Sequence, residues 1–217
     1  MSHFTAVLDA NVLHSQPLTS LLLELAVARL YRPAWSQDIH AEWRRSVLRA
    51  RPDVDPVALD RRRAAMDSAL PDACVSGYAP FIEALTLPDP DDRHVLAVAV
   101  RAKAQVIVTF NERDFPSNTL AGFDVVAQHP DVFLRHLVDL QPALVRARIE
   151  QMLHGWRQPP NTPEAFIDGR PAGHCRSAAG AVHCGVSSSE ITLITTYPVT
   201  HRSVAALTVG GICYLRP

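Results

Sequence analysis

The sequence predicts an α/β domain with a mostly parallel central sheet, followed by a C-terminal appendage. Three observations predict it. "AQVIVTF" is a continuous apolar run, the pattern of a strand covered on both faces. Shorter β-type runs alternate with segments of helical periodicity, as in βαβ units. After about Trp156 this alternation stops and Gly, Pro, Ser and Thr take over. The organisation is therefore a domain over residues 1–155 and an extension over 156–217.

A chain of 217 residues with 47% hydrophobic composition is long enough to bury an ordinary core. No apolar run reaches the roughly 18 residues of a membrane span. "MSHFTAVLDANVL" lacks the basic and apolar regions of a secretory signal, so a cytoplasmic protein without membrane association is expected. Cys74, Cys175, Cys184 and Cys213 show no CxxC spacing and read as reduced thiols. The net charge of −1 leaves nucleic acid open as a partner, because a local basic face matters more than the total.

The elements follow in order. "FTAVLDANVL" begins with a strand ending at Asp9. "QPLTSLLLELAVARLY" is a helix with Pro17 in its first turn. "RPAWS" reads as a short buried strand, and Ser36 as the N-cap of helix "QDIHAEWRRSVLRA". Asp55-Pro56 starts a further helix, "ACVSGY" reads as a strand and "APFIEAL" as a short helix. A helix of about 12 residues opens at Asp91 or Asp92, with Val95, Leu96, Ala99 and Val100 on its buried face. "AQVIVTF" and "FDVVA" are strands, and "HPDVFLRHLVDL" and "QPALVRARIEQMLHGW" are helices. In the extension, "EITLITTY" and "SVAALTVGGICYL" read as strands, with a hairpin as one arrangement.

Carboxylates collect where such a sheet carries function. Asp9 ends the first strand and Asp114 follows the best one, so both fall at the carboxyl edge where open α/β sheets bind ligands. Asp92 opens the apolar helix that leads into that strand, and Glu42 lies one turn inside its own helix. Helix capping alone accounts for an aspartate at Asp92, and the positive end of the helix dipole favours it. The chemical reading is that the acids surround a cation, since gathered carboxylates otherwise repel. Oxygen ligands suit Mg2+ or Mn2+ rather than Zn2+. Such an ion activates water and neutralises charge developing on a phosphate.

"VLDANVL", Glu42 in "IHAEWRRSV", and "DPDDRHVLAVAVRAKAQVIVTFNERDFP" together resemble the PIN-domain ribonucleases. The similarity is closest to VapC-like toxins of bacterial toxin–antitoxin pairs and covers roughly residues 4–155. It implies a three-layer α/β/α sandwich, metal-dependent RNA cleavage, a cognate antitoxin as partner, and the homodimer common among members. By the same resemblance, Asp9, Glu42, Asp92 and Asp114 are the Mg2+- or Mn2+-holding quartet, and Thr109 and Asn111 the polar positions after the last core strand. Whether Asn111 or Asp114 completes the site stays open. Asp89 and Asp91 read as turn and first-turn residues. "PPNTPEAFID" resembles a C-terminal extension of a VapC-like subgroup; the likeness stops at about Asp168, and the remainder reads as a divergent or frame-shifted terminus.

Arg44 and Arg45, beside Glu42, are the candidate RNA-phosphate contacts, against a reading of them and of Arg61, Arg62 and Arg63 as solvated helix faces. Trp35 and Trp43 read as core rather than base-stacking residues. His174, Cys175, His183 and Cys184 invite zinc, but adjacent His-Cys pairs match no usual finger spacing. Ser187 to Ser189 lack nucleophile-elbow glycines, and no GxxxxGK[ST] loop occurs. An aspartate-nucleophile phosphatase commonly places a second Asp where this chain has Asn11. The leading expectation is therefore an endoribonuclease. The alternative is a catalytically inactive domain of the same fold that binds RNA or an antitoxin.

Overall fold

The computed structural model describes residues 4–155 and, further on, the strand pairs 208–209 and 212–213. The chain divides into two units, Met1–Arg157 and Gln158–Pro217. The first is built on four short parallel strands: β1 (Thr5–Leu8), β2 (Arg32–Ala34), β3 (Val106–Val108) and β4 (Val126–Gln128). Their order is β2-β1-β3-β4, with Val7 opposite both Ala34 and Ile107. Ala6, Val7, Leu8, Ile107 and Val108 are fully buried, as strands covered on both faces require.

Helix α1 (Gln16–Val27) links β1 to β2. Helices α2 (Gln37–Ala50), α3 (Pro56–Ala69), the single turn α4 (Ala79–Ile82) and α5 (Arg93–Ala102) lie between β2 and β3. The first connection moves outward from β1 on one side and the second returns past it to the other. Right-handed crossovers therefore put α1 and α5 on opposite faces, giving the three layers. The single turn α6 (Ser117–Leu120) leads to β4, and α7 (Pro130–Leu140) and α8 (Pro142–Gly155) follow. Both α1 and α7 pack on α8, and Phe133 of α7 meets Tyr31 edge-on at 5.0 Å.

Local chemistry explains the helix starts. Ser36 Oγ accepts the Ile39 N–H at 3.2 Å, and Asp55 Oδ1 accepts that of Val57 at 2.9 Å before Pro56. At α5 the structure corrects the expected boundary. Pro90–Asp92 form a separate 3-10 turn, and the α-helix begins at Arg93. The capping carboxylate is Asp89, whose Oδ1 accepts the Asp91 N–H at 2.9 Å; Asp92 makes no capping bond. The buried face is also broader than expected, because Val95 to Ala99 are all buried between the sheet and the outer helices, whereas Val100 is only half-buried.

"ACVSGY" forms no strand of its own; Cys74 makes only an isolated bridge to Trp35. In the second unit, Thr208–Val209 and Ile212–Cys213 pair antiparallel, a hairpin inside "SVAALTVGGICYL". "EITLITTY", His174, Cys175, His183, Cys184 and Ser187 to Ser189 lie outside the described residues.

Trp35 and Trp43 are core residues, as expected, and they tie α2 to α3. Trp43 Nε1 donates to His40 Nδ1 at 3.0 Å, which leaves the His40 proton on Nε2, facing Asp67 Oδ1 at 3.3 Å. Trp35 Nε1 donates to the same Asp67 oxygen at 2.9 Å. Burial pulls the His40 pKa below its ordinary 6.5 despite the Asp67 charge. The folded chain thus refuses a proton that the unfolded chain accepts below that value. The His40 contribution to stability is complete above pH 6.5 and shrinks as pH falls beneath it. His40→Gln keeps one acceptor and one donor but cannot titrate. Urea melts of both proteins should show the wild type losing stability relative to the variant from about pH 7 down to about pH 5. A constant difference across that range would show that His40 titrates alike in both states.

Candidate active site

The site forms where the chain reverses direction around β1, outside the carboxyl ends of β1 and β3. Asp9 extends the strand ladder by one bond, its N–H donating to the Val108 carbonyl at 3.1 Å. Its carboxylate is only 3% exposed. Oδ1 accepts the Ala10 N–H at 2.6 Å, while Oδ2 accepts Asn11 Nδ2 and the Thr109 hydroxyl, each at 2.7 Å. Thr109 Oγ1 itself accepts Asn11 Nδ2 at 2.9 Å and the Asn111 N–H at 3.0 Å. With two donors arriving, the single Thr109 proton is left for Asp9.

Asn11 also accepts the Phe110 N–H on Oδ1 at 3.1 Å. It is therefore the bridge between the β1 and β3 loops. Sequence reasoning used it only to argue against a phosphatase. Asn111 Nδ2 donates to Asp114 Oδ2, so the two positions face each other at this edge. Asp114 lies in the 3-10 turn Glu112–Asp114 that follows β3.

Asp92 and Glu42 arrive from the helical layer. No hydrogen bond to the Asp92 carboxyl occurs among the described residues, and its pKa is pushed up to about 7. Burial is the first cause; the charges of Asp9, Asp114, Asp89 and Glu42 follow. Burial likewise pushes Asp9 up to about 6, with Glu42 adding repulsion and the Thr109 and Ala10 hydrogen bonds opposing. All four quartet members thus act within one electrostatic neighbourhood.

Sequence reasoning missed His94, whose only signal is its position two residues after Asp92. Its Nδ1 lies 2.7 Å from the Asp91 carbonyl, an atom that only accepts, so Nδ1 carries a proton. Nε2 faces Glu42 Oε2 at 3.3 Å, outside hydrogen-bond alignment. Burial lowers the His94 pKa, but Glu42, the Asp91 carbonyl and Asp38 together outweigh it and raise it. Protonation of His94 is thereby favoured beside Glu42.

Arg62 corrects the reading of its helix face as solvated. Its guanidinium turns inward, donating to the Leu13 carbonyl and Thr19 Oγ1, both at 2.8 Å, and lies 5.1 Å from the Trp43 ring centroid. Burial lowers its pKa to about 10, so it stays charged. It joins the segment after Asp9 to the helix of Glu42. Arg44 is held by Asp60 at 2.8 and 3.3 Å. Arg45 is exposed, has no hydrogen bond among the described residues, and shares a helix face with Glu42 and Arg49.

The donors fit a hard divalent cation. They are oxygens, one of them (Glu42 Oε2) buried without a hydrogen bond, and two of the acids are pushed above the ordinary carboxylate range in the absence of a counter-charge. As arranged here, no three His, Cys, Asp or Glu side chains among the described residues converge closely enough to hold an ion.

A parallel sheet with a buried acid after its central strand, and polar residues after the next, defines the class of α/β protein to which PIN domains belong. The sequence model of the PIN domain matches residues 5–113, and that of the VapC50 C-terminal domain residues 130–169. The chain belongs to the PIN-domain family and is VapC-like. It is 40% identical over 101 residues to the Mycobacterium tuberculosis protein named "Putative ribonuclease VapC50". That match takes in 46% of this chain and spans 59% of the relative's length. No solved structure matches.

The strain at Asp92 can be measured. The folded chain holds a proton there up to about pH 7, whereas the unfolded chain loses it near the ordinary 3.8. Metal-free stability therefore falls as pH rises through that interval, the reverse of the usual carboxylate case. Asp92→Asn should stabilise the metal-free protein by about 1–2 kcal/mol near pH 8, after allowance for partial exposure, and by nothing near pH 4. A variant no more stable than wild type near pH 8 would show that the carboxyl ionises freely.

Proposed function

We propose that the chain is a divalent-metal-dependent endoribonuclease, the toxin of a toxin–antitoxin pair. The observation that carries this reading is the Asp92 carboxyl. It is not spent on capping, and burial and four neighbouring acids push it up to about 7. A cation relieves that repulsion, and a phosphodiester supplies the substrate oxygen that such a cation recognises. The name of the similar mycobacterial protein supports RNA as the substrate.

Asp9, Glu42, Asp92 and Asp114 would hold Mg2+ or Mn2+. When bound, the ion supplies charge stabilisation to the phosphate and makes water acidic enough to act at neutral pH. The protein's own groups do the positioning. Thr109 and Asn11 hold Asp9 Oδ2 and the Ala10 N–H holds Oδ1, so this acid cannot rotate away. Asn111 holds Asp114 toward the same edge. His94, 3.3 Å from Glu42, offsets one negative charge there when it is protonated. Arg45, with Arg49, offers phosphate contacts beside Glu42; Arg44 is already paired with Asp60.

An antitoxin protein is the proposed regulatory partner, a homodimer the proposed assembly, and the cytoplasm the proposed place of action. The second reading, an inactive RNA- or antitoxin-binding domain, has one observation in its favour: the acids do not converge on a single point as they stand.

Cleavage of total cellular RNA by the purified chain separates the two. Mg2+ or Mn2+ should support cleavage and EDTA abolish it, and Asp9→Asn or Asp92→Asn should lower the rate on the order of 100-fold or more. Folded protein that cleaves nothing with either metal would sink the nuclease reading. In RNA binding, Arg45→Ala should reduce the dependence of log affinity on log salt by about 1, and Arg44→Ala by less. Equal slopes for all three proteins would remove α2 from the RNA surface.

A further inference from the structure

We propose that Phe110, backed by His129, is a stacking platform for one nucleobase of a single-stranded substrate, a proposal that rests on the RNA reading above. Phe110 sits between Thr109 and Asn111, both of which belong to the acidic site. Yet it is 47% exposed, the most of the three exposed phenylalanines among the described residues, against 38% for Phe81 and 40% for Phe123. A phenylalanine that served the core would turn inward, as Phe115 does five residues later at 2%.

The ring is held in place. The Phe110 N–H donates to Asn11 Oδ1 at 3.1 Å, which ties its backbone to the loop that carries Asp9. The His129 ring meets it edge-on, with centroids 5.1 Å apart and planes at 78°. His129 is fixed in turn. Its N–H donates to Glu112 Oε1 at 3.1 Å, and its Nδ1 accepts the Asp131 N–H at 3.2 Å as the N-cap of α7. The His129 side chain is only 14% exposed, so it acts as a wall and leaves the phenylalanine open to solvent.

A rigid, exposed π-surface loses little conformational freedom when something stacks on it. Asp9 and Asp114, bonded to the flanking Thr109 and Asn111, disfavour anionic side chains there. They suit a ligand whose charged part is neutralised by a cation while its flat part is neutral. A nucleotide has that form: its phosphate reaches toward the acidic edge and its base lies over Phe110. Stacking tolerates any base, because every base has a π-face. The platform therefore sets the path of the strand without dictating its sequence.

The test is binding of the full chain to a single-stranded RNA oligonucleotide in Ca2+, with the strand checked intact. One abasic position is moved along the oligonucleotide. Wild type should lose about 5- to 100-fold in affinity when the abasic position reaches the platform. Phe110→Ala should show the same loss on the intact strand and no further loss at that position. Phe110→Trp should bind like wild type, and Phe110→Leu should resemble Phe110→Ala although its bulk is apolar; thermal melts should place all four proteins within a few degrees. A flat abasic scan, a Phe110→Leu variant that binds like wild type, or wild type that does not bind RNA would each overturn the platform. Binding alone decides this, so the pattern can appear in a protein that does not cleave, and can be missing from one that does.

Discussion

The buried carboxylate of Asp9 is the placement on which the rest depends. An ionised acid removed from water at the end of a central strand is destabilising unless several donors meet it. The donors come from Ala10, Asn11 and Thr109, two from the loop after β1 and one from the end of β3. Thr109 can serve only because β3 lies beside β1, parallel and in register, with Leu8 opposite Val108. Strand order, register and site are thus one requirement rather than three. Shifting β3 by one residue would turn Thr109 to the other face and leave Asp9 without its hydroxyl partner.

The helical layer brings the remaining charge and holds it firmly. Five consecutive residues of α5, Val95 to Ala99, are buried, so this helix cannot slide or rotate without opening the core. The turn that carries Asp92 is anchored by Asp89 and by the Asp92 N–H on the Asp89 carbonyl. On the other side, His40, Trp43 and Arg62 lock α2 to α3 and to the Leu13 carbonyl. Repulsion among the acids is therefore resisted by packing that lies behind them. This lets two carboxyls sit well above their ordinary range without the site spreading apart.

Much of this was legible in the sequence, because the signals are local. "VIV" after a helix of helical period announced β3, and the end of "TAVL" announced the acid that follows it. What escaped reading came from partners far along the chain. Nothing within "LDAN" shows that Asn11 bridges to Phe110, 99 residues away. Three adjacent arginines look alike in sequence; only the packing of α3 on α2 selects Arg62 as the one that turns inward. Glu42 and His94 belong to different helices, and their meeting depends on how α2 crosses α5. The start of α5 was misread because three aspartates compete for one cap, and backbone geometry gives it to Asp89. The terminal stretch gave composition but no periodicity.

The bond between Thr109 and Asp9 spans 100 positions of the chain, and this has a consequence in time. A growing polypeptide emerges from its N-terminus at roughly 5–20 residues per second. Asp9 is exported early, but the hydroxyl that orients it and the acids at Asp92 and Asp114 follow about 5–20 s later. β1 meanwhile has only β2 to pair with, and its other edge stays open until β3 arrives. Whatever the assembled edge does, a nascent chain still attached to its ribosome cannot do it for roughly its first hundred residues. The order of synthesis itself keeps the site silent until the domain is nearly complete.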